Sequence, residues 1–371
     1  MFVKKIGAAF ALSSALAIAV TQRAHASTIT VVPSEVQSQI QASINNSHVG
    51  DTIAFQAGTY NLSHLRLQPG RSYIGATNGQ TIVHGSGGYA LMDFYGSGLT
   101  VQHIIFDGGG LHLGGVVSDA MVEYNTFRNI SFGPNASTQF ANWTATIGVF
   151  IDYSVANSDI SHNSFQNLNS QILNVDSDEN LGVSGIFGYG FSNTTVNYNT
   201  FDTVNEGIKI FFDHSDGKNV HINYNTFTNV HRMAIEMQHS DSSGLEVAYN
   251  NISKPLTPWI ESFGISAAMG GSNTVVHDNI IDDQVPSKCS SSRCSIGMGI
   301  EAWGNSTKIV NNTVRGYWGW GVAVGTSSNL AIQNNVLCGP DMIFISNEGA
   351  DAHPGESTSN NKTSTALYCS Q

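Results

Sequence analysis

The feature that most constrains this chain is a two-strand phrase that recurs along most of its 371 residues. Its clearest copies are Val196-Asn-Tyr-Asn-Thr-Phe201 followed by Gly207-Ile-Lys-Ile-Phe-Phe-Asp-His214, and Ile222-Asn-Tyr-Asn-Thr-Phe227 followed by Ala234-Ile-Glu-Met-Gln-His239. A short repeat cannot bury its apolar face alone, so it stacks on its neighbours and equivalent residues fall into columns. Asn125, Asn163, Asn199, Asn225, Asn250, Asn279, Asn312 and Asn335 mark the phrase at intervals of 23 to 38 residues. The shortest intervals are single coils, and the longer ones carry inserted loops at 131–146, 168–184, 253–263 and 282–297. Stacked Asn side chains at a turn hydrogen-bond along the column, which gives the Asn column a structural reading.

The strand after each Asn phrase reads Gly148-Val-Phe-Ile-Asp152, Gly185-Ile-Phe-Gly-Tyr189, Gly207-Ile-Lys-Ile-Phe211, Ala234-Ile-Glu-Met-Gln238, Gly264-Ile-Ser-Ala-Ala268, Gly299-Ile-Glu-Ala-Trp303, Gly321-Val-Ala-Val-Gly325 and Met342-Ile-Phe-Ile-Ser346. The second and fourth positions are small or branched apolar residues, so they face inward and the third and fifth face outward. The outward third column is then Phe150, Phe187, Lys209, Glu236, Ser266, Glu301, Ala323, Phe344, and the fifth begins Asp152, Tyr189, Phe211, Gln238.

The mature composition bounds the function. Residues 1–26 read as a signal peptide: Lys4 and Lys5, an apolar run from Ala8 to Val20, then Ala24-His25-Ala26 as the cleavage site. Residues 27–371 form a single domain, with 27–80 as N-terminal cap and first strands and 346–371 as C-terminal tail. Loss of Lys4, Lys5 and Arg23 takes the formal net charge from −12 to −15, which argues against nucleic acid and its need for a basic face. An exported monomer, free of the membrane after cleavage, needing no metal or cofactor and acting on a polysaccharide or oligosaccharide, is expected. Of three possible pairings of Cys289, Cys294, Cys338 and Cys369, the favoured one is 289–294 with 338–369.

Near the start, Val36, Ile40 and Ile44 fall on one helical face, with Ser34 placed as N-cap, ahead of the strand Val49-Gly-Asp-Thr-Ile-Ala-Phe-Gln-Ala-Gly-Thr-Tyr60. This helix-then-strand start, the repeats and the export signal together resemble the right-handed parallel β-helix (pectate-lyase-like) superfamily of secreted polysaccharide-active proteins. The resemblance implies an all-β solenoid with an N-terminal capping helix, and a site on the outward face of the parallel sheet that bears Lys209, Glu236 and Glu301.

Adjacent parallel strands lie ~4.8 Å apart, so Lys209 and Glu236 should pair, with Glu301 two coils beyond Glu236. A glycoside hydrolase needs one protonated and one ionised carboxyl group. Lys209 keeps Glu236 ionised as base, and apolar surroundings from Trp303, Trp318 and Trp320 raise Glu301 as acid. Trp303, Gln238, Phe211, Tyr189, Arg232, His214, His239, Asp213, Asp152 and Trp259 are the substrate-binding candidates; Glu206, Asp241 and Glu261 also lie close. The leading expectation is a secreted glycoside hydrolase cleaving a neutral or weakly charged polysaccharide. The alternative is a lyase or C5-epimerase on a uronate polymer, with Lys209, Arg232, His214, His239 and Tyr189 supplying cation and base. A third reading is a non-catalytic glycan-binding β-helix.

Overall fold

Alternation along each phrase makes strands, and every strand pairing among the described residues is parallel. The computed structural model describes residues 26–85, 90–130, 147–168, 183–211, 217–238, 243–255, 262–267, 272–284, 297–302, 304–316, 320–325, 328–339, 341–345 and 357–366, with backbone alone at a few strand positions, Arg232 among them. Each coil contributes to three sheets. The front sheet takes Leu65–Arg66, the starts of Met92–Gln102 and Leu111–Glu123, Ile147–Ile151, Ser184–Gly188, the ends of Thr200–Phe211 and Thr226–Gln238, then Ser262–Ala267, Gly297–Ala302, Trp320–Val324 and Asp341–Ile345. The second sheet includes Thr194–Asn197, Lys218–Asn223, Ser243–Ala248 and Val275–His277. The third includes Thr126–Ile130, Ser164–Leu168, Asn251–Pro255 and the starts of Thr200–Phe211 and Thr226–Gln238.

The inward columns form one continuous core. Ile186, Ile208, Ile235, Ile265, Ile300 and Val322 fill it from the front sheet, and Ile160, Val196, Ile222, Val247 and Val276 from the second, all buried. The third sheet supplies a stack of Phe106, Phe127, Phe165, Phe201 and Phe227, with ring centroids 4.6–5.0 Å apart. The recurrent glycine opening the front strands has a packing cause: a Cβ on Gly185 would sit 2.5 Å from the Phe201 ring and 2.8 Å from the Gly207 carbonyl.

The Asn column is the ladder its chemistry predicts. Asn163 donates through Nδ2 to Asn199 Oδ1 at 3.1 Å and to the Val122 carbonyl at 2.8 Å, while its backbone N–H reaches the same Oδ1 at 2.9 Å. The pattern repeats from Asn125 through Asn335 and ends on Asn361, one coil beyond the sequence expectation. From Asn125 to Asn335 these side chains are buried, so each bond there satisfies a group that water cannot reach.

The residue before each ladder Asn, and His103 at the same place one coil earlier, turns the corner between the second and third sheets with positive φ. His103, Tyr124, His162, Tyr198, Tyr224 and Tyr249 do so at φ 55–58°, and Asp278, Asn311, Asn334 and Asn360 continue the column at φ 54–59°. Asn and Asp adopt this conformation readily; for other side chains it costs roughly 1–2 kcal/mol each. The aromatic members stack at 4.8–5.6 Å, and a stacked pair returns about 0.5–1.5 kcal/mol.

The helix spans Gln37–Asn45 and buries Ile40 and Ile44, as their spacing requires. Its start differs from expectation. Val36, not Ser34, is the N-cap residue and is 60 % exposed, and the orphan Val36 N–H donates to Gln39 Oε1 at 3.0 Å. A side-chain amide in the first turn replaces the hydroxyl cap. Buried Cys338 ends a strand and is not a free thiol; Cys289, Cys294 and Cys369, and so the pairing, lie outside the described residues, as do residues 1–25 of the signal segment 1–26.

Candidate functional site on the front sheet

Strand register stacks the outward third position into one column. Phe150 faces Phe187, Phe187 faces Lys209, Lys209 faces Glu236, Glu236 faces Ser266 and Ser266 faces Glu301. The expected order therefore holds, and the column runs three coils further toward the N-terminus, through His112, Asp93 and Arg66. It carries two polar clusters separated by the buried rings of Phe150 and Phe187.

The C-terminal cluster centres on Lys209. Its Nζ lies 2.9 Å from Glu236 Oε2 and 3.5 Å from Glu206 Oε1. Glu206 also accepts from Ser184 Oγ at 3.0 Å, and Glu236 from the Gln238 side-chain amide. All three charged side chains are buried, Glu236 to 1 % exposure and Lys209 to 7 %. Phe211 lies beneath the Lys209 ammonium at 5.4 Å, and Tyr189 stacks on Phe211 at 6.0 Å. Glu301 accepts from Ser266 Oγ at 2.7 Å. Trp303, His214, His239, Asp213 and Trp259 lie outside the described residues, as does the side chain of Arg232.

The N-terminal cluster was missed, except for Asp152. Its frame is an alternating chain of imidazoles and carboxylates. His64 Nδ1 meets Asp93 Oδ2 at 2.8 Å; Asp93 Oδ1 meets His112 Nδ1 at 3.0 Å; and His112 Nε2 meets Asp152 Oδ2 at 3.1 Å. The Gly115 backbone N–H donates to the other Asp152 oxygen at 2.6 Å. The middle of the chain is buried and its ends are open: side-chain exposure is 49 % at His64, 12 % at Asp93, 8 % at His112 and 35 % at Asp152. Tyr95, 43 % exposed, sits edge-on to His112 at 5.7 Å, with the exposed Arg66 guanidinium over its ring at 5.5 Å.

This arrangement biases protonation. Burial pushes the Asp93 carboxyl up, but hydrogen bonds from His112 and His64 and their charges outweigh it, so Asp93 lies below the usual carboxylate range. Burial works against charge on His112, yet the bond to Asp93 and the charge and bond of Asp152 raise it, favouring the imidazolium. Tyr95 is pushed up, first by burial and then by Asp93 and Asp152, with Arg66 opposing, so its phenol keeps its proton. The sequence did hold a signal: Met92-Asp93-Phe94 and Leu111-His112-Leu113 each place one ionisable residue between buried neighbours. The Asn phrase that marks the columns begins only at Asn125, so the coils of Asp93 and His112 carry no such marker.

No family model and no curated protein sequence matches the chain. Solved structures do. It is similar to PfbA, a surface adhesin of Streptococcus pneumoniae, at TM-score 0.58 and 13 % identity, over 91 % of this chain and 90 % of that one. It is similar to the A-module of the Azotobacter vinelandii mannuronan C-5 epimerase AlgE6 at 0.46 and 12 %, over 90 % and 95 %. A mannuronic acid specific polysaccharide family 6 lyase from human gut microbiota matches at 0.45 and 12 %, over 88 % and 84 %.

The hydrolase expectation is corrected; the enzymes named among the matches are lyases and epimerases. The geometry gives the physical reason. Glu236 was to activate water as a base, but its carboxylate is buried against Lys209 and the Gln238 amide, out of solvent. Lys209 is likewise committed to two carboxylates and does not offer an exposed cation. In architecture the chain is a right-handed parallel β-helix, with both polar clusters on one sheet of its solenoid.

Proposed function

We propose that the protein acts on a uronate-containing polysaccharide by abstracting the C5 proton, as a lyase or C5-epimerase, at the N-terminal cluster of the front sheet. The observation that carries this reading is the His64–Asp93–His112–Asp152 chain beside Arg66 and Tyr95. Proton abstraction next to a carboxylate needs a cation to neutralise that carboxylate, a base, and a separate proton donor. Arg66 is the exposed cation. Asp93 holds His64 through Nδ1, and the half-exposed His64 imidazole is the base that takes the C5 proton. Tyr95, kept protonated, is the donor.

In elimination the C5–H bond breaks to His64, the C4–O4 bond breaks, the C4–C5 double bond forms, and the Tyr95 proton goes to O4. In epimerisation the same donor returns a proton to the opposite face of C5. His112 and Asp152 are positioning groups that fix the charge of Asp93. Secretion and a polysaccharide partner fit this reading, and no helix among the described residues is long and apolar enough to cross a membrane.

The test incubates the protein in heavy water with polymannuronate, polyguluronate and polygalacturonate. It follows deuterium entry at C5 by NMR and unsaturated uronate by ultraviolet absorbance. Deuterium entry on at least one polymer is expected, lowered roughly 10²–10⁴-fold in His64→Ala and Tyr95→Phe, the usual contribution of a general acid or base. No exchange on any polymer, or undiminished exchange in His64→Ala, refutes the proposal.

A further inference from the structure

The corner between the second and third sheets carries a row of rings unrelated to the front sheet. His103, Tyr124, His162, Tyr198, Tyr224 and Tyr249 stack with centroids 4.8–5.6 Å apart and interplanar angles of 4–18°. The tyrosines are 44–50 % exposed. All six hold positive φ, a conformation strained for an aromatic residue. On the following coils Asp278, Asn311, Asn334 and Asn360 turn the same corner without that strain. Stacking at best offsets what the backbone loses, so turn formation does not account for the rings. Strain retained at a surface is a pointer to binding.

The flanks define the ligand. The neighbouring outward column on the third sheet is Thr126, Ser164, Thr200, Thr226 and Asn251, in register. It presents hydroxyl and amide groups and no charge. On the second-sheet side the outward column Met121, Asp159, Thr195, His221 and Glu246 runs in register, so charge lies there at Asp159 as well as at Glu123 and the Glu246–His277–Asp278 group. Because the rings cover one another's faces, they present edges and phenol hydroxyls, repeating at the coil spacing along the axis. Tyrosine in this setting gives apolar contact and hydrogen bonding at little entropic cost.

We infer that this ladder is a second, non-catalytic binding surface for an extended, uncharged polysaccharide lying along the solenoid axis. A 1,4-linked pyranose ribbon is straight, repeats at close to the ladder's step, and offers hydroxyls to a row of phenols. The uncharged third-sheet flank matches an uncharged chain, and the acidic protein disfavours nucleic acid.

Native affinity electrophoresis tests it, in gels containing glucomannan, xylan or hydroxyethyl cellulose, with polygalacturonate as acidic control. The wild type is retarded by at least one neutral glycan, and Tyr198→Asn/Tyr224→Asn weakens that binding at least tenfold. Asparagine already holds this corner elsewhere in the chain, so the variant keeps the turn, and C5 exchange at the front sheet is unchanged in it. Tyr198→Phe/Tyr224→Phe keeps the stack, loses only the hydroxyls, and is expected to bind several-fold more weakly. Absence of retardation in all three neutral gels overturns the inference. So does unchanged affinity in either double variant, or a retardation by polygalacturonate that the substitutions abolish equally.

Discussion

Removing the charge of Glu236 weakens one side of a buried ion pair whose cation stays in place. Breaking a buried pair by one partner costs about 3–5 kcal/mol; Glu206 remains near Lys209 at 3.5 Å, so the lower end is expected. Glu236→Gln should therefore shift the denaturation midpoint strongly while leaving C5 exchange intact in the folded protein. Loss of exchange with an unshifted midpoint would return Glu236 to the reaction. Lys209 and Glu236 were legible as partners because the repeat sets their columns, and they do pair at 2.9 Å. Their burial was not legible, since it depends on what covers an outward face, which alternation alone does not report. Asp152 was readable from its column, but Asp93 and His112 act through contacts 19 and 40 residues apart in sequence, on coils without the marker phrase.

At the scale of the element, the Asn ladder and the corner beside it carry the predictions. Asn199→Ala removes the acceptor for the Asn163 backbone N–H and Nδ2 and the donor to the Ile160 carbonyl. Each stranded buried group costs roughly 1–3 kcal/mol, so a denaturant melt should show a loss larger than any exposed Thr→Ala change on the third sheet. The second sheet holds a titrating link between coils: Glu246 bridges His221 at 2.7 Å and His277 at 3.2 Å. Burial would raise Glu246, but hydrogen bonds from His221, Asn223 and His277 bring it from 4.5 to about 2, while Asp278 and Glu246 raise His277 above 6.5 against its own burial.

The signs follow. The lowered carboxyl contributes stability above pH 4.5 that is lost as pH falls toward about 2. The raised imidazole contributes stability below pH 6.5 that is lost as pH rises through its folded value. Thermal melts of wild type and Glu246→Gln should differ most between those limits and converge on both sides; a gap independent of pH would show that the link is not electrostatic. Repeat period and Asn column made the ladder readable in advance. The left-handed tyrosines were not, because a propensity argument places Asn or Gly there and only stacking across coils makes the rings tenable.

For the molecule as a whole, the solenoid was the most legible level, because a period in sequence is a period in space. Less legible were the coils before Asn125, where strands pair in register without the phrase, as Leu65 with Met92 and Met92 with Leu111. Parallel pairing throughout the described residues also has a mechanical consequence. The hydrogen bonds between coils point along the long axis, so tension applied from end to end loads them one coil at a time, as a zipper rather than a shear plate. A single molecule stretched between its termini should yield at low, nearly constant force in a sawtooth. The Asn-to-Asn spacings of 23, 25 and 26 residues set a step of roughly 80–90 Å of contour at about 3.4 Å per residue. Coils carrying longer insertions should appear as proportionally longer steps, so the record of extension against force would spell out the loop lengths in order.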